Sequence, residues 1–293
     1  MLDGQAADCH AHVFGGPEFG FAPDAVYVPH AMQRGTAAQF RAVLDAHGLT
    51  HGLLVAAQPY GYDNTCMLHA LDASGGRFKG IALVRPGADA RELASLADRG
   101  VVGIRFNLST HGMREFFETG AERLLAQVNE MDWFLQIHCE HDQLAEAAPT
   151  LRRAGVRVMI DHFGRPDMAR GIGQPGFATL LEFGREGGHV IKLSGPFRTS
   201  LAGEPYNDVD PFIHAAIEAF TLDRCVWGSD WPFVRVDARI DYGPQLACVA
   251  RWLPDAADRR RLLWDTPARL FGLGSASSTR PNIDKTSPNI DKN

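Results

Sequence analysis

Asp8-Cys9-His10-Ala11-His12 stands near the start of the chain, and on a strand two histidines one residue apart point to the same face. Such a pair can grip one metal ion or one substrate oxygen. Later apolar segments also end in titratable groups: His138 follows Trp133 to Ile137, His162 follows Val156 to Asp161, and Asp230 stands just past Cys225 to Gly228. Four strand ends that carry four histidines and a carboxylate describe an active site. The histidines at His47, His51, His69, His141, His189 and His214 read as ordinary core or surface residues.

Neutral imidazoles with a carboxylate suit one divalent metal, zinc first, with a coordination position left for water. Zinc would lower the pKa of that water to about 7 and make hydroxide near neutral pH. Without metal the same groups work differently: Asp230 serves as general base to a water, and imidazoles donate to a carbonyl oxygen. The sequence permits both. Arg105 at the end of strand four and Arg198 just after strand seven face the same mouth. An arginine there binds a carboxylate bidentately, each charge-assisted bond contributing about 1.5 to 3 kcal/mol; the competing use is an ion pair with loop acids. Arg165 is a third anion-binding candidate, His111 and Arg114 lie on the loop after strand four, and Tyr27 on the first loop offers a hydroxyl. Ser194 and Ser229 lack a nucleophile-elbow context and read as hydrogen-bonding or packing residues. Gly171-Ile172-Gly173 does not link a strand to a helix in the dinucleotide manner.

What must position these residues is a repeating unit. Strand-like runs alternate with helical patterns throughout, as in βα units around a parallel sheet. Eight are expected: Ala7 to Val13, Gly52 to Ala57, Gly80 to Val84, Gly103 to Leu108, Trp133 to His138, Val156 to His162, Val190 to Ser194 and Cys225 to Gly228. Between them, Phe40, Val43, Leu44 and His47 follow a capping Thr36, and Leu93, Leu96 and Ala97 precede a stopping Gly100. The expectation is a single-domain α/β fold, a distorted (β/α)8 TIM barrel over residues 1–273, whose chemistry sits at the C-terminal strand ends. Phe14 to Gly35, rich in Gly and Pro, is a long loop over the mouth. A last helix from Asp255 to Phe271 buries Leu262, Leu263 and Leu270 and closes the barrel outside. Residues 274–293 repeat Pro-Asn-Ile-Asp-Lys and read as a disordered tail.

The chain has 293 residues, 45% of them hydrophobic, enough for a large core. Its 29 Lys plus Arg against 35 Asp plus Glu leave a net charge of -6, with no general attraction for nucleic acid or an anionic membrane surface. Five cysteines without CxxC spacing suggest neither a disulfide framework nor a zinc ribbon, and point to a reducing, cytoplasmic setting. No signal peptide or membrane span is recognisable. The expected partner is a small molecule, and a homo-oligomer is compatible with the sequence.

These residues resemble the amidohydrolase superfamily, in particular its amidohydrolase-2 type branch of small lactonases that act on pyrone dicarboxylates, sulfomuconolactones and sugar-acid lactones. The resemblance runs from Asp8 to about Phe271. Its marks are Asp-Cys-His-Ala-His-Val-Phe at 8 to 14, Gly-Ile-Arg-Phe-Asn at 103 to 107, Asp-His-Phe-Gly-Arg-Pro-Asp at 161 to 167 and Trp-Gly-Ser-Asp-Trp-Pro at 227 to 232. It implies a distorted barrel that opens a lactone by water attack on the ester carbonyl. In pyrone-opening members the residue matching Asp230 activates water without metal, those matching His10, His12 and His162 polarise the carbonyl, and those matching Arg105, Arg198 and Tyr27 hold substrate carboxylates. The chain departs at strand five, where His138 replaces a tyrosine and stands where many metal-dependent relatives place a ligand; His111 falls near the place of a second loop arginine. With metal, the expected ligands are His10, His12, His138 and Asp230.

The function expected is hydrolysis of a small anionic, carboxylated lactone or pyrone from aromatic or sugar-acid breakdown. Its rivals are a zinc-dependent decarboxylase of an unsaturated carboxylic acid, a lactone isomerase, and a catalytically idle barrel that binds a small anion or a partner protein.

Overall fold

A computed structural model describes residues 4–274; the expected tail from 275 onward lies outside the described residues. Eight strands follow one another in space as in sequence: β1 (Ala7–Ala11), β2 (His51–Val55), β3 (Phe78–Ala82), β4 (Val101–Asn107), β5 (Phe134–His138), β6 (Arg157–Ile160), β7 (Val190–Ser194) and β8 (Cys225–Gly228). Every neighbouring pair is parallel. The helices between them start where local chemistry allows. Ala37–His47 opens on Thr36, whose hydroxyl accepts from Gln39 N while the Gln39 side chain returns to Thr36 N, a full capping box, and it stops at Gly48 in a left-handed conformation. Ala90–Asp98 is capped by Asp89.

The barrel closes between β1 and β8, but by a few contacts beyond the strand ends. Asp230 N donates to His10 O and His12 N to Trp231 O, both at 2.8 Å, and Ala11 bridges to Trp231. The register of β1 against β2 shifts between Asp8 and Ala11. Because of that shift Cys9 packs inward with Ala7, yet His10 and His12 also reach the interior above them, and Asp8 is turned outward.

Alternation along the strands fills the barrel in layers. The lowest is apolar, with Leu53, Ile81, Phe134, Met159, Val190 and Val226. Two residues further along, Arg105, Gln136 and Lys192 make a polar middle layer, and above it stand His138 and Ser194. The outward-facing Ile104, Leu135, Ile137 and Leu193 pack against helix residues such as Leu44, Leu93, Leu124 and Leu180. Each such side chain contributes about 1.5 to 3 kcal/mol on burial.

Two expectations change here. The last helix begins at Asp255 as read, but runs as Ala256–Arg260, a wider turn at Arg261–Asp265, then Thr266–Phe271. Leu262 and Leu263 pack on the outer layer, whereas Trp264 and Phe271 join the apolar layer under the strands, and Leu270 is only half-buried. The helix therefore plugs the floor of the barrel, because its large aromatics face the open end of the apolar layer. Strand six also stops at Ile160, two residues short of His162.

Gly228 owes its identity to the closure: a Cβ there would lie 2.5 Å from His10 Cβ and 2.8 Å from His10 N. Gly228→Ala is expected to destabilise the protein by about 1 to 3 kcal/mol through overpacking at this seam. Urea unfolding measures it, and a midpoint within error of the unchanged protein would show that the seam yields freely.

Candidate active site

After β6 the chain enters a left-handed stretch, His162 (φ 49°), Phe163 (φ 40°), Gly164 (φ 78°) and Arg165 (φ 43°). Each non-glycine residue so placed costs roughly 1 to 2 kcal/mol. The turn delivers Asp161 downward into the polar layer and His162 toward the mouth. Asp230, just past β8, is likewise held at φ 64°. Strain at both residues is offset by what their side chains bind.

Asp161 has no exposed surface. Its Oδ2 accepts from Arg105 Nε at 3.1 Å and from Gln136 Nε2 at 2.9 Å, and pairs with the Arg105 Nη2 charge at 2.9 Å. Its Oδ1 lies 3.2 Å from His10 Nδ1 and 3.6 Å from Lys192 Nζ. Burial pushes this carboxyl up, but the charges around it, Arg105 and Lys192 among them, outweigh burial and hold it well below the usual range. Burial brings the Lys192 ammonium down to about 8, against the pull of Asp161.

Above this layer three imidazoles face one carboxylate. His10 Nε2 and His12 Nε2 stand 3.7 and 3.6 Å from Asp230 Oδ1, and His162 Nε2 stands 3.8 Å from Oδ2. These gaps are too long for direct hydrogen bonds, and a small oxygen ligand touching both groups would sit beside the line that joins them. His12 is oriented by Nδ1, which bonds Val55 O at 2.8 Å, and His162 by Nδ1, 2.8 Å from Ser194 Oγ. Burial lowers His10 well below the ordinary imidazole range and takes His162 down to about 3, although Asp230 and Asp161 both oppose the fall. The Arg198 Nε donates to Asp230 Oδ2. Burial raises the Asp230 carboxyl, but Arg198 and the neighbouring imidazoles hold it well below the usual range, so it is anionic.

The seam itself is fastened from behind. Asp8 Oδ1 accepts from Ser229 N at 2.9 Å and His10 N at 3.1 Å, while Oδ2 accepts from Ser229 Oγ at 2.5 Å and Tyr242 OH at 3.0 Å. One carboxylate thereby ties the HxH backbone to the residue preceding Asp230.

The mouth opens into a cavity of about 250 Å³ lined by His12, Tyr27, Arg105, His138, His162, Arg165, Arg198, Asp230 and Arg235, with Glu140, Asn107 and Gln58. Its wall holds four arginines and two carboxylates. Arg165 pairs with Glu140 at 2.6 Å, and Ser109 Oγ donates to the same oxygen at 2.5 Å. The Arg235 guanidinium sits 5.1 Å from the Tyr27 ring centre, and burial raises the Tyr27 hydroxyl.

Of the residues expected from sequence, His10, His12, His162 and Asp230 converge, and Arg105, Arg165, Arg198, Tyr27 and His138 line the cavity with them. Arg105 lines the cavity and is also paired with a buried acid, Asp161 just past β6, where the competing sequence reading offered loop acids. His111 falls outside: its Nε2 lies 3.1 Å from Gln58 Nε2, and it lines a neighbouring cavity with Arg85 and Arg114. The short helix Leu108–His111 turns it away. Donor atoms that would suit a metal cluster as His10, His12 and Asp230, and as His10, Asp161 and His162. Among the described residues His138 belongs to neither group; its Nδ1 faces Asp161 at 3.8 Å, and burial, then Arg105, lowers it well below the usual imidazole range.

Missed from sequence were Asp161, Gln136, Lys192, Glu140 and Arg235. A signal existed for two of them. Lys192 in Val-Ile-Lys-Leu-Ser and Gln136 in Phe-Leu-Gln-Ile-His interrupt apolar runs of buried parallel strands, where a polar residue needs a partner.

A family model for the amidohydrolases matches residues 7–273. A 4-sulfomuconolactone hydrolase of Rhizobium radiobacter is 36% identical over 278 residues, 92% of this chain and 90% of that one. A 2-pyrone-4,6-dicarboxylate hydrolase of Comamonas testosteroni is 34% identical over 281 residues, 92% and 91% of the two chains. The crystal structure of a probable 2-pyrone-4,6-dicarboxylic acid hydrolase from Acinetobacter baumannii, with citric acid bound, superposes with a TM-score of 0.83 at 30% identity, over 92% of this chain and 99% of that one.

His162 makes a prediction about pH. Its folded pKa of about 3 lies below the ordinary 6.5, so between those values the unfolded chain binds the extra proton. Stability from this group is complete above pH 6.5 and is lost as pH falls toward 3, by up to about 1.4 kcal/mol per unit. His162→Gln is expected to flatten that part of the curve in urea titrations, beside Asp230, Asp161, Arg198 and Arg105, which remain. An unchanged slope would show His162 charged in the folded protein.

Proposed function

The chain belongs to the amidohydrolase family, and from that premise we propose that it hydrolyses a small lactone carrying two anionic groups, by attack of an Asp230-activated water on the ring ester carbonyl. The observation that carries this is the carboxylate of Asp230 facing three imidazole Nε2 atoms at 3.6 to 3.8 Å under a cavity rich in arginine.

In this mechanism a water in the gap donates one hydrogen to Asp230 and is held by His12. Its oxygen bonds to the carbonyl carbon while Asp230 takes the proton, and imidazole N–H groups receive the charge that builds on the carbonyl oxygen. The bond from carbonyl carbon to ring oxygen then breaks, and the proton returns from Asp230 to that oxygen. The products are a carboxylic acid, which releases its remaining proton to solvent and leaves as the carboxylate, and a hydroxyl, enolic where the ring was a pyrone. The arginine excess favours a dianion, such as a dicarboxylate or a carboxylate with a sulfonate; the hydrolases of R. radiobacter and C. testosteroni carry the names of such substrates, and the A. baumannii structure holds citric acid, a polycarboxylic acid. Such lactones arise in aromatic catabolism. Five buried free cysteines support a cytoplasmic location, and among the described residues no helix is long and apolar enough to cross a membrane.

His10, His12 and Asp230 have the atoms for one zinc ion, but Arg198 holds Asp230 Oδ2 and Lys192 stands against His10. Two cations at the donors of a third oppose its binding, and the residues themselves supply every proton transfer above.

Asp230→Asn is expected to lower kcat/KM on dianionic lactones by about 10²-fold or more with unchanged circular dichroism. Solvent oxygen-18 should enter the new carboxylate. Full turnover by the variant, or label-free product, would overturn hydrolysis by this route.

A further inference from the structure

Lys192 takes no part in the chemistry above, although it is fully buried directly beneath it. Its Nζ is 2.7 Å from Gln136 Oε1, 3.3 Å from His10 Nδ1 and 3.6 Å from Asp161 Oδ1. Gln136 cannot be turned the other way, because its Nε2 donates to Asp161 Oδ2 at 2.9 Å, which leaves its oxygen to face the lysine. An ammonium has three N–H groups and no lone pair. It can only donate, within hydrogen-bond distance to the amide oxygen and the imidazole nitrogen, and it faces the carboxylate oxygen as a longer ion pair.

A ring nitrogen that accepts carries no hydrogen, so the proton of neutral His10 must sit on Nε2. Asp161 Oδ1, 3.2 Å from the same Nδ1, is the competing acceptor for a proton there, but among the described residues no well-aligned hydrogen bond joins the two, and the Lys192 ammonium faces both. Among the described residues His10 Nε2 in turn has no hydrogen-bond partner, and it faces Asp230 Oδ1 at 3.7 Å. His12 is the opposite case: its Nδ1 can meet the Val55 carbonyl only as a donor, which leaves Nε2 bare.

We infer that Lys192 is a positioning residue that holds His10 as the Nε2–H tautomer, so that the two histidines of the HxH pair present unlike atoms to the site: a donor from His10 and a lone pair from His12. Given the reaction proposed above, His10 Nε2–H is the donor to the developing oxyanion, and His12 Nε2 accepts the second hydrogen of the attacking water. The same arrangement denies a divalent ion the His10 lone pair. In Lys192→Met the pressure on Nδ1 is gone, Asp161 Oδ1 becomes the acceptor for an Nδ1–H, and Nε2 is freed for metal.

The test begins with the unchanged full chain labelled with 15N-histidine, whose ring protons and nitrogens are correlated by NMR and assigned with His10→Gln and His12→Gln. His10 protonated on Nε2 and His12 on Nδ1 is the expected pattern; His10 protonated on Nδ1 overturns the proposal. Zinc titration follows on the unchanged protein and on Lys192→Met. The variant is expected to bind zinc at least tenfold more tightly, and equal affinity in a folded variant overturns the assigned role. If the variant fails to fold, the tautomer measured in the unchanged protein decides alone. Neither readout depends on turnover, so a failed lactone assay and a failed tautomer remain separate results.

Discussion

A carboxylate with no route to water is the constraint around which the upper barrel is organised. Burying Asp161 as an anion costs several kcal/mol unless charge and hydrogen bonds compensate it. The compensation comes from three strands: Arg105 from β4, Gln136 from β5 and Lys192 from β7. None of these side chains is free to move without stranding another. The network therefore serves as a rigid floor for the site, pinning Arg105 at the cavity wall and presenting His10 from below.

The second constraint is closure. A ladder of hydrogen bonds between β1 and β8 would align them as ordinary strands, with histidines and Asp8 on one face. The register shift separates them, turning Asp8 outward to grasp Ser229 and Tyr242 while His10 and His12 turn inward. Burial raises the Asp8 carboxyl to about 6 even with these hydrogen bonds opposing it, a measure of how deeply the seam is packed. Asp230 follows directly, its backbone N–H on His10 O. The base and the imidazoles are thus fixed relative to one another by main chain.

Much of this was legible in the sequence because it rests on period. Eight apolar runs separated by helical patterns specify a barrel, and the strand-end rule places His10, His12, His138, His162 and Asp230 together. What escaped was what alternation alone does not encode. The left-handed turn after Ile160 carries no glycine at His162 or Phe163 to announce it, so strand six was drawn two residues long. Trp264 and Phe271 could serve the outside or the floor equally well on helical spacing, and only the open apolar layer decides between them. His111 is carried by a single turn of short helix, Leu108–His111, into the neighbouring cavity. Asp161 looked like the end of a strand; its partners are distant in sequence and meet only when the barrel closes.

The chain as a whole is anionic, at -6, yet its cavity wall carries four arginines against two carboxylates. Low-dielectric walls focus that local field and favour an anionic ligand over the repulsion of the surface. The arginines are not idle while they wait: Arg198 lies on Asp230, Arg165 on Glu140. For Asp230 this pairing has a chemical consequence. A carboxylate held far below its usual pKa is a poor base, and Arg198 is the leading charge holding it there. In the proposed reaction a substrate carboxylate that drew the Arg198 guanidinium toward itself would weaken that hold as the lactone arrived. Binding the correct anion and strengthening the proposed base would then be one event, whereas a neutral lactone of the same size would leave Asp230 paired and weak. Discrimination for charge would accordingly appear in kcat as well as in KM, because the same guanidinium serves the substrate and the base.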